Sequence, residues 1–289
     1  MLYLLLSILC ASLIFVVFKL FETFKINTLQ AIIFNYAVAC TCGIIFYNGD
    51  ITLEQLPSKP WFLGTLALGI LFIAIFNLMA ATTQKMGVSV TSVATKMSLV
   101  VPVVFGVIIY NEVLGTLKVV GILIALLAVY YTSIKETRVQ KVQNISWLFP
   151  LGVFLGSGII DTSLKFIQER MVHENDFPIF SATVFGAAAF IGLIIILVKK
   201  IKKQPFQFSV KNILAGVALG TLNYFSIYFL LKALKSNGLN SASVFTINNV
   251  AIVLFSTLLG ILLFKERLSA KNWLGVALAV VSILLVALF

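Results

Sequence analysis

The chain has 289 residues, of which 61% are apolar and 11% charged, with a mean hydropathy of +1.09. Soluble domains sit near ~45–50% apolar and ~25% charged, so this composition excludes an ordinary soluble enzyme, and no polar stretch is long enough to add a soluble domain to a membrane anchor. The net charge of +11 comes from 21 Lys and Arg against 10 Asp and Glu; the basic residues lie between apolar runs and the aromatics inside them, which reads as a membrane topology signal and not as a nucleic-acid surface.

Ten apolar runs follow one another, at 2–20, 28–47, 61–81, 88–109, 116–133, 146–167, 178–198, 211–232, 239–264 and 270–289. Each is about 18 to 26 residues, enough to cross a hydrocarbon layer ~30 Å thick as a helix. Helices are expected because every backbone N–H and C=O must find a partner inside its own segment there. The first run, MLYLLLSILC, has no basic leader and no small-residue cleavage site, so it reads as the first span. Turn chemistry separates the runs: Asn48-Gly49-Asp50, Pro57 and Pro60, Lys85-Met86-Gly87, Gly115-Thr116, Pro205, and Asn237-Gly238. The expected fold class is an all-α membrane protein of ten transmembrane helices.

Loop charge sets the expected orientation. Connectors 1–2, 3–4, 5–6, 7–8 and 9–10 hold 14 Lys and Arg, the other connectors 6, and Lys96 lies inside a run. The heavier set is expected to be cytoplasmic, with the run Lys199-Lys200-Ile201-Lys202-Lys203 the strongest vote. Both termini then face away from the cytoplasm, in a multi-pass protein of the cell (inner) membrane. Cys10, Cys40 and Cys42 all fall in apolar runs, where cysteine behaves as a small hydrophobe. His173 stands in a polar connector. No metal or cofactor pattern is readable, and neither a G-x-x-x-x-G-K-[ST] phosphate loop nor a His-centred catalytic set occurs. The expectation is no enzyme activity, and transport driven by a gradient or running downhill.

The two halves resemble each other. Gly106-Val-Ile-Ile-Tyr-Asn-Glu112 lines up with Gly260-Ile-Leu-Leu-Phe-Lys-Glu266, and Leu114 and Gly121 then match Leu268 and Gly275 without a gap. Upstream, Ala67-Leu68-Gly69 matches Ala218-Leu219-Gly220, and Gly87 and Val93 match Gly238 and Val244. Spans 1–5 (residues 1–140) thus repeat as spans 6–10 (residues 141–289). Five is odd, so the second copy must enter the membrane upside down. Inverted repeats are a common plan for secondary transporters, with the binding site near the midplane.

Ten spans, a five-plus-five duplication, and a Glu just after spans 4 and 9 resemble the EamA-type branch of the drug/metabolite transporter superfamily. The matching pieces are Asn111-Glu112-Val-Leu through Gly121, and Lys265-Glu266-Arg267-Leu268 through Trp273-Leu274-Gly275, close to the family's G-E-x-L…W-x-G. Phe15-Val16-Val17-Phe18-Lys19 fits its F-V-x-x-K at the end of span 1. The chain departs from the family at Ala11-Ser12-Leu13, where members often carry Trp-Gly-Ser. Many members place their termini in the cytoplasm, opposite to the charge count here. The resemblance implies export of amino acids, related metabolites or drugs by alternating access, through a cavity lined by spans 1, 3, 4, 6, 8 and 9.

Ionisable groups at membrane depth are costly and are functional candidates by default. Lys96 is eight residues into span 4, about 12 Å deep, and could anchor a carboxylate. Asp161 in span 6 lies about 6 Å from its outer end; it could bind an amine or carry a coupling proton, or pair with Lys165 one turn away, which in turn continues to Glu169. The neutral substrate-binding candidates are Ser12, Asn77, Asn223, Tyr224, Tyr228, Asn248 and Asn249; for them interhelical hydrogen bonding is the plain alternative. Lys19, Glu112 and Glu266 at span ends are coupling or gating candidates, with loop fixing the plain alternative for the two glutamates. Gly152-x-x-x-Gly156 and Gly216-x-x-x-Gly220 permit close helix approach, and Pro102 can kink span 4. The expected partners are a small-molecule substrate, the lipid bilayer and a proton as coupling ion, and one chain suffices for a pathway. A flippase for lipid-linked intermediates and a non-transporting scaffold are the rival readings.

Overall fold

The computed structural model describes the whole chain except residues 48, 50, 111–114, 135–146, 174–175, 203–208, 236–240 and 289. The elements are α1 (Leu2–Thr23), α2 (Thr28–Ile45), a 3-10 turn (Leu53–Ser58), α3 (Phe62–Met86), α4 (Val88–Met97), α5 (Val100–Tyr110), α6 (Thr116–Ser133), α7 (Leu148–Met171), α8 (Phe177–Ile201), α9 (Val210–Lys235), α10 (Ser241–Phe264) and α11 (Ala270–Leu288). Among the described residues there is no strand. Among the described residues eight stretches are long and apolar enough to cross a membrane, α4 and the start of α5 counting as one, and Val119–Ser133 and Ala270–Val286 are shorter apolar helices. Ten membrane helices fit the ten apolar runs.

One run is not a single helix. The apolar stretch 88–109 breaks at Ser98-Leu99, between α4 and α5. Pro102 has no N–H to give the Ser98 carbonyl, as an unbroken helix would require. The Val101 N–H takes that carbonyl instead, at 2.9 Å, and α5 starts afresh with proline in its first turn. The hydroxyls of α4 reinforce the break: Thr91, Thr95 and Ser98 donate back to the carbonyls of Gly87, Thr91 and Thr95, a pattern that bends helices.

Helix ends elsewhere follow capping chemistry. Lys25 sits at φ 50 past the end of α1. Ile26 N–H reaches Phe21 O at 2.9 Å and Lys25 N–H reaches Glu22 O at 3.2 Å, the paired bonds of a Schellman turn. Asn27 then caps α2 by accepting from Gln30 N–H at 3.2 Å. Ser269 opens α11 with a reciprocal box: its Oγ accepts from Asn272 N–H at 3.3 Å, and its own N–H donates to Asn272 Oδ1 at 3.0 Å.

The chain divides into two compact units. The first holds Met1–Leu20, Leu78–Ile159 and Phe225–Phe289. Its core packs Met97, Phe154, Val253, Val276 and Ile283 with small residues of α6 and α11. Those two helices run antiparallel and very close. A Cβ on Gly121, early in α6, would stand 2.7 Å from Val286 Cγ2, late in α11; one on Gly275, early in α11, would stand 2.6 Å from Thr132 N, late in α6. Asn272 seals one end, its Nδ2 donating to the carbonyls of Tyr131, Thr132 and Ile134 at 2.9–3.1 Å.

The second unit holds Phe21–Asn77 and Ile160–Tyr224. Its core centres on Trp61, edge-on to Phe180 at 5.5 Å, with Leu68 and Val184. Helices α2 and α8 are also antiparallel: Gly43 meets Ala182 and Gly192 meets Ile33. Helix α9 lies on α2 along Gly216 and Gly220, whose added Cβ atoms would approach Ala31 O and Asn35 O to 2.5 and 2.6 Å. An amide ladder follows this seam. Asn27 N–H donates to Asn212 Oδ1 at 3.0 Å, Asn212 Nδ2 to Gln30 Oε1 at 2.7 Å, and Asn223 Nδ2 to Asn35 Oδ1 at 3.2 Å.

Candidate functional site

In the first unit the polar candidates gather on α1, α4, α9 and α10. Lys96 is half-buried in the last turn of α4, just before the break. A cation there complements the partial negative charge of a helix C-terminus. Half-helix ends at membrane depth are also where transporters hold charged groups of their cargo. Asn248 on α10 is buried and accepts from Ser7 Oγ at 3.3 Å; the same hydroxyl lies 2.8 Å from Ser226 O on α9. Asn249 beside it is half-buried. Ser12 is fully buried, and among the described residues its Oγ meets no hydrogen-bond partner. Tyr228 is half-buried and packs under the Lys232 ammonium, 4.8 Å from the ring centre, with Tyr3 at 5.5 Å from the same ammonium.

Two charged groups in this unit hold helix ends. Lys19 Nζ donates to Gln84 O at 2.6 Å in the last turn of α3, while Gln84 Nε2 reaches back to Phe18 O at 3.4 Å. Glu266 caps α4 from across the unit. Its Oε1 accepts from Val88 N–H at 2.6 Å, and its Oε2 accepts from Ser89 N–H at 3.3 Å and Ser89 Oγ at 2.9 Å. The residue that opens α4, Gly87, has no side chain to cap with and adopts φ 108, a left-handed value that favours glycine. A Cβ on Gly87 would stand 2.8 Å from Glu266 Oε1, and one on Gly260 would stand 2.6 Å from Oε2. The carboxylate thus sits between two glycines and satisfies the first N–H groups of α4, where a negative charge is also favoured by the helix dipole. Lys265, at φ 54, turns the chain so that Glu266 N–H also closes onto Gly260 O at 3.2 Å.

The second unit carries the other candidates. Asn77 is half-buried and its Nδ2 donates to Ile73 O of its own helix at 2.7 Å. Asn223 is buried against Asn35. Tyr224 stacks on Phe46 with ring centres 5.8 Å apart. Asp161 is exposed on α7. The ion pair described on that helix is Lys165 with Glu169, at 3.7 Å, both about half exposed. Glu112 lies outside the described residues, as do Pro205, Asn237 and Gly238. Sequence reasoning passed over Ser7, Gln30, Asn35, Ser89, Asn212 and Asn272. Only Asn272 carried a local signal, a Ser three residues before a side-chain acceptor at the start of an apolar run.

Among the described residues no three His, Cys, Asp or Glu side chains are grouped to hold a metal ion. The described residues offer a lysine at a helix break, neutral hydrogen-bonding groups on neighbouring helices, and helix ends each tied by one charged side chain.

The family model described as the EamA-like transporter family matches the chain twice, over residues 1–134 and 139–288. A protein of Haemophilus influenzae described as uncharacterized is 30% identical over 278 residues, covering 93% of this chain and 92% of its own length. A solved protein crystal structure matches with a TM-score of 0.57 at 17% identity, covering 98% of this chain and 97% of that one; at that identity the likeness speaks of the fold.

Proposed function

Because this chain belongs to the EamA-like transporter family, we propose that it is a secondary transporter that exports small organic metabolites, such as amino acids or drugs, by alternating access. The family supports the broader class, a multi-pass membrane transporter. The finer reading rests on the chain itself.

The observation that carries it is the reciprocal contact of α6 and α11. Gly121 meets Val286, and Gly275 meets Thr132. Both pairs are related by the same 154-residue step that aligns Glu112 with Glu266. A contact that repeats with its partners exchanged is the signature of a two-fold relation, and antiparallel running of the matched helices supports inverted five-helix copies divided near residue 140. The double match of the family model is in keeping with it. Two such copies can rock about a fixed midplane site.

Within that scheme Lys96 anchors the anionic group of the substrate, and the candidates for neutral hydrogen bonds are Ser12, Asn77, Asn223, Tyr224, Tyr228, Asn248 and Asn249. The contacts by which Glu266 and Lys19 tie helix ends are made and released during the cycle, and Glu112, the counterpart of Glu266 in the repeat, is a further gating candidate. Asp161 carries the coupling proton. Loop charge supports termini that face away from the cytoplasm; the membrane is the cell's inner membrane, and one chain forms the pathway.

The experiment is thermal unfolding of the purified protein against amino acids, carboxylates, amines, sugars, nucleosides and lipid-headgroup analogues. A ligand at 100 times its dissociation constant stabilises by about 2.7 kcal/mol. A saturable shift from one soluble class, lost in Lys96→Ala and kept in Asp161→Asn, supports the assignment. Proton coupling is then read as pH-dependent uptake into proteoliposomes that flattens in Asp161→Asn. A shift from headgroup analogues alone overturns the metabolite reading in favour of a flippase.

A further inference from the structure

The second unit contains a cavity of about 460 Å³ between α2, α3 and α8, within the ~300–1,000 Å³ range of small-ligand sites. Its lining is almost wholly apolar. The two hydroxyls in it are already used: Thr65 Oγ1 donates to Phe62 O at 2.6 Å and Thr183 Oγ1 to Ile179 O at 2.7 Å, each within its own turn. A polar solute entering here would give up water for no new hydrogen bond, which costs free energy. A hydrocarbon chain loses nothing.

The position of the cavity narrows the occupant. It is bounded by the last turns of α2 (Cys40, Ile44), the first turns of α3, α8 from Ile179 to Phe190, and Leu56 of the 3-10 turn. These helix ends lie on one side of the membrane, because Gly43 near the end of α2 meets Ala182 near the start of α8. From Ile179 to Phe190 is about 16 Å along the helix, close to half of a hydrocarbon layer ~30 Å thick. The groove therefore runs the depth of one leaflet, from the interface to the midplane. Its outer wall, Phe190, is 61% exposed, and the exposed row of α8 continues from it through Leu193 and Leu197. On a helix that spans a bilayer, that row faces acyl chains.

We propose that this groove is a binding site for one acyl chain of a membrane phospholipid, drawn from the leaflet on the side of the connector between α2 and α3. The small residues Ala182 and Gly186 form its floor, and Phe190 and Ile44 close over the chain. The site is separate from the polar candidates for transport and does not depend on what is transported.

The test is photolabelling of the full-length protein in phospholipid nanodiscs that contain a phosphatidylcholine with a diazirine in its acyl chain. Peptide mass spectrometry then locates the adducts. Labelling at residues 40–44 and 179–190 should exceed that on the open row 193–198 by about fivefold or more, the equivalent of ~1 kcal/mol of preference. Thr183→Trp fills the groove and should abolish the excess, whereas Leu197→Trp, a bulky change on the open row, should preserve it. If Thr183→Trp does not fold, Phe190→Ala removes the outer wall from an exposed position and should lower the groove labelling in its place. Equal labelling of both regions overturns the proposal, as does an excess that neither groove variant changes. Absence of lipid adducts at 179–190 while the open row 193–198 is labelled also overturns it.

Discussion

The first and second units are each organised around an antiparallel helix pair drawn together at glycines, α6 with α11 and α2 with α8. They differ in how polar groups are used around that pair. In the first unit, single side chains close whole helix ends. Glu266 holds the start of α4, Asn272 the last carbonyls of α6, and Lys19 the last turn of α3. In the second, neutral amides bridge α2 and α9 along their length. An ionised group on unsatisfied backbone is worth roughly 1.5–3 kcal/mol per bond, whereas an interhelical side-chain bond in a membrane averages about 0.6 kcal/mol. Among the described polar contacts, the strongest of the first unit are thus gathered at a few helix ends, beside neutral bonds such as Ser7 to Ser226 and Asn248, and one of them caps the half-helix that carries Lys96. In the second they are spread out. Concentrated contacts suit a part that changes state as a whole, and distributed ones suit a frame.

The sharpest way to break this contrast is Glu266→Ala. It strips the cap from Val88 and Ser89, and the expected loss is about 2–4 kcal/mol, from capping and charged hydrogen bonds together. Glu266→Gln keeps an acceptor and should lose about half as much. Both are read as melting temperature in detergent. In the second unit, Asn212→Ala breaks two rungs of the ladder at once and should cost only about 1–2 kcal/mol. If Asn212→Ala proves the more damaging, the contrast between concentrated and distributed cohesion fails.

The glycine contacts sharpen the comparison inside the first unit. A Cβ at Gly275 meets the Thr132 backbone nitrogen at 2.6 Å, whereas one at Gly121 meets first the tip of Val286, at 2.7 Å. A side-chain tip can turn aside and a backbone cannot. Gly275→Ala should therefore cost more than Gly121→Ala, within the ~1–3 kcal/mol of overpacked cores. Equal losses would mean that α6 and α11 adjust as rigid bodies.

Most of the ten spans were legible because hydrocarbon thickness imposes a length and apolarity that sequence displays directly. The run 116–133 coincides with α6. The run 88–109 looked like one span because its apolarity continues across the break. Pro102 was the visible mark, but a proline in the first turn of a new helix and one that kinks an old helix look alike in sequence. The site was less legible for a different reason. Glu266 and its motif stood out, yet the N–H groups it caps lie 178 residues away. Lys96 stood out as a charge at depth, while Gln30, Asn35 and Asn212 looked like ordinary polar residues until α9 was laid on α2. Asp161 and Lys165 share a helix face by spacing alone; the same spacing offers Lys165 to Glu169, with which it pairs at 3.7 Å.

The smallest expected effect is at Asn35. Its Oδ1 accepts from Asn223 Nδ2 at 3.2 Å. Its own Nδ2 is buried and, among the described residues, meets no acceptor. A buried donor without a partner costs about 1–3 kcal/mol, and the one bond it makes returns about 0.6 kcal/mol. Asn35→Ala removes the orphan along with the bond, and leaves Asn223 on the other side of a small gap. These terms oppose each other, so the change in stability should stay within about 1 kcal/mol of zero, well below that of Asn212→Ala on the same seam. Chemical denaturation of the two variants side by side decides it. A loss at Asn35 equal to that at Asn212 would mean that the ladder acts as one cooperative network, and the second unit would then concentrate its cohesion much as the first does.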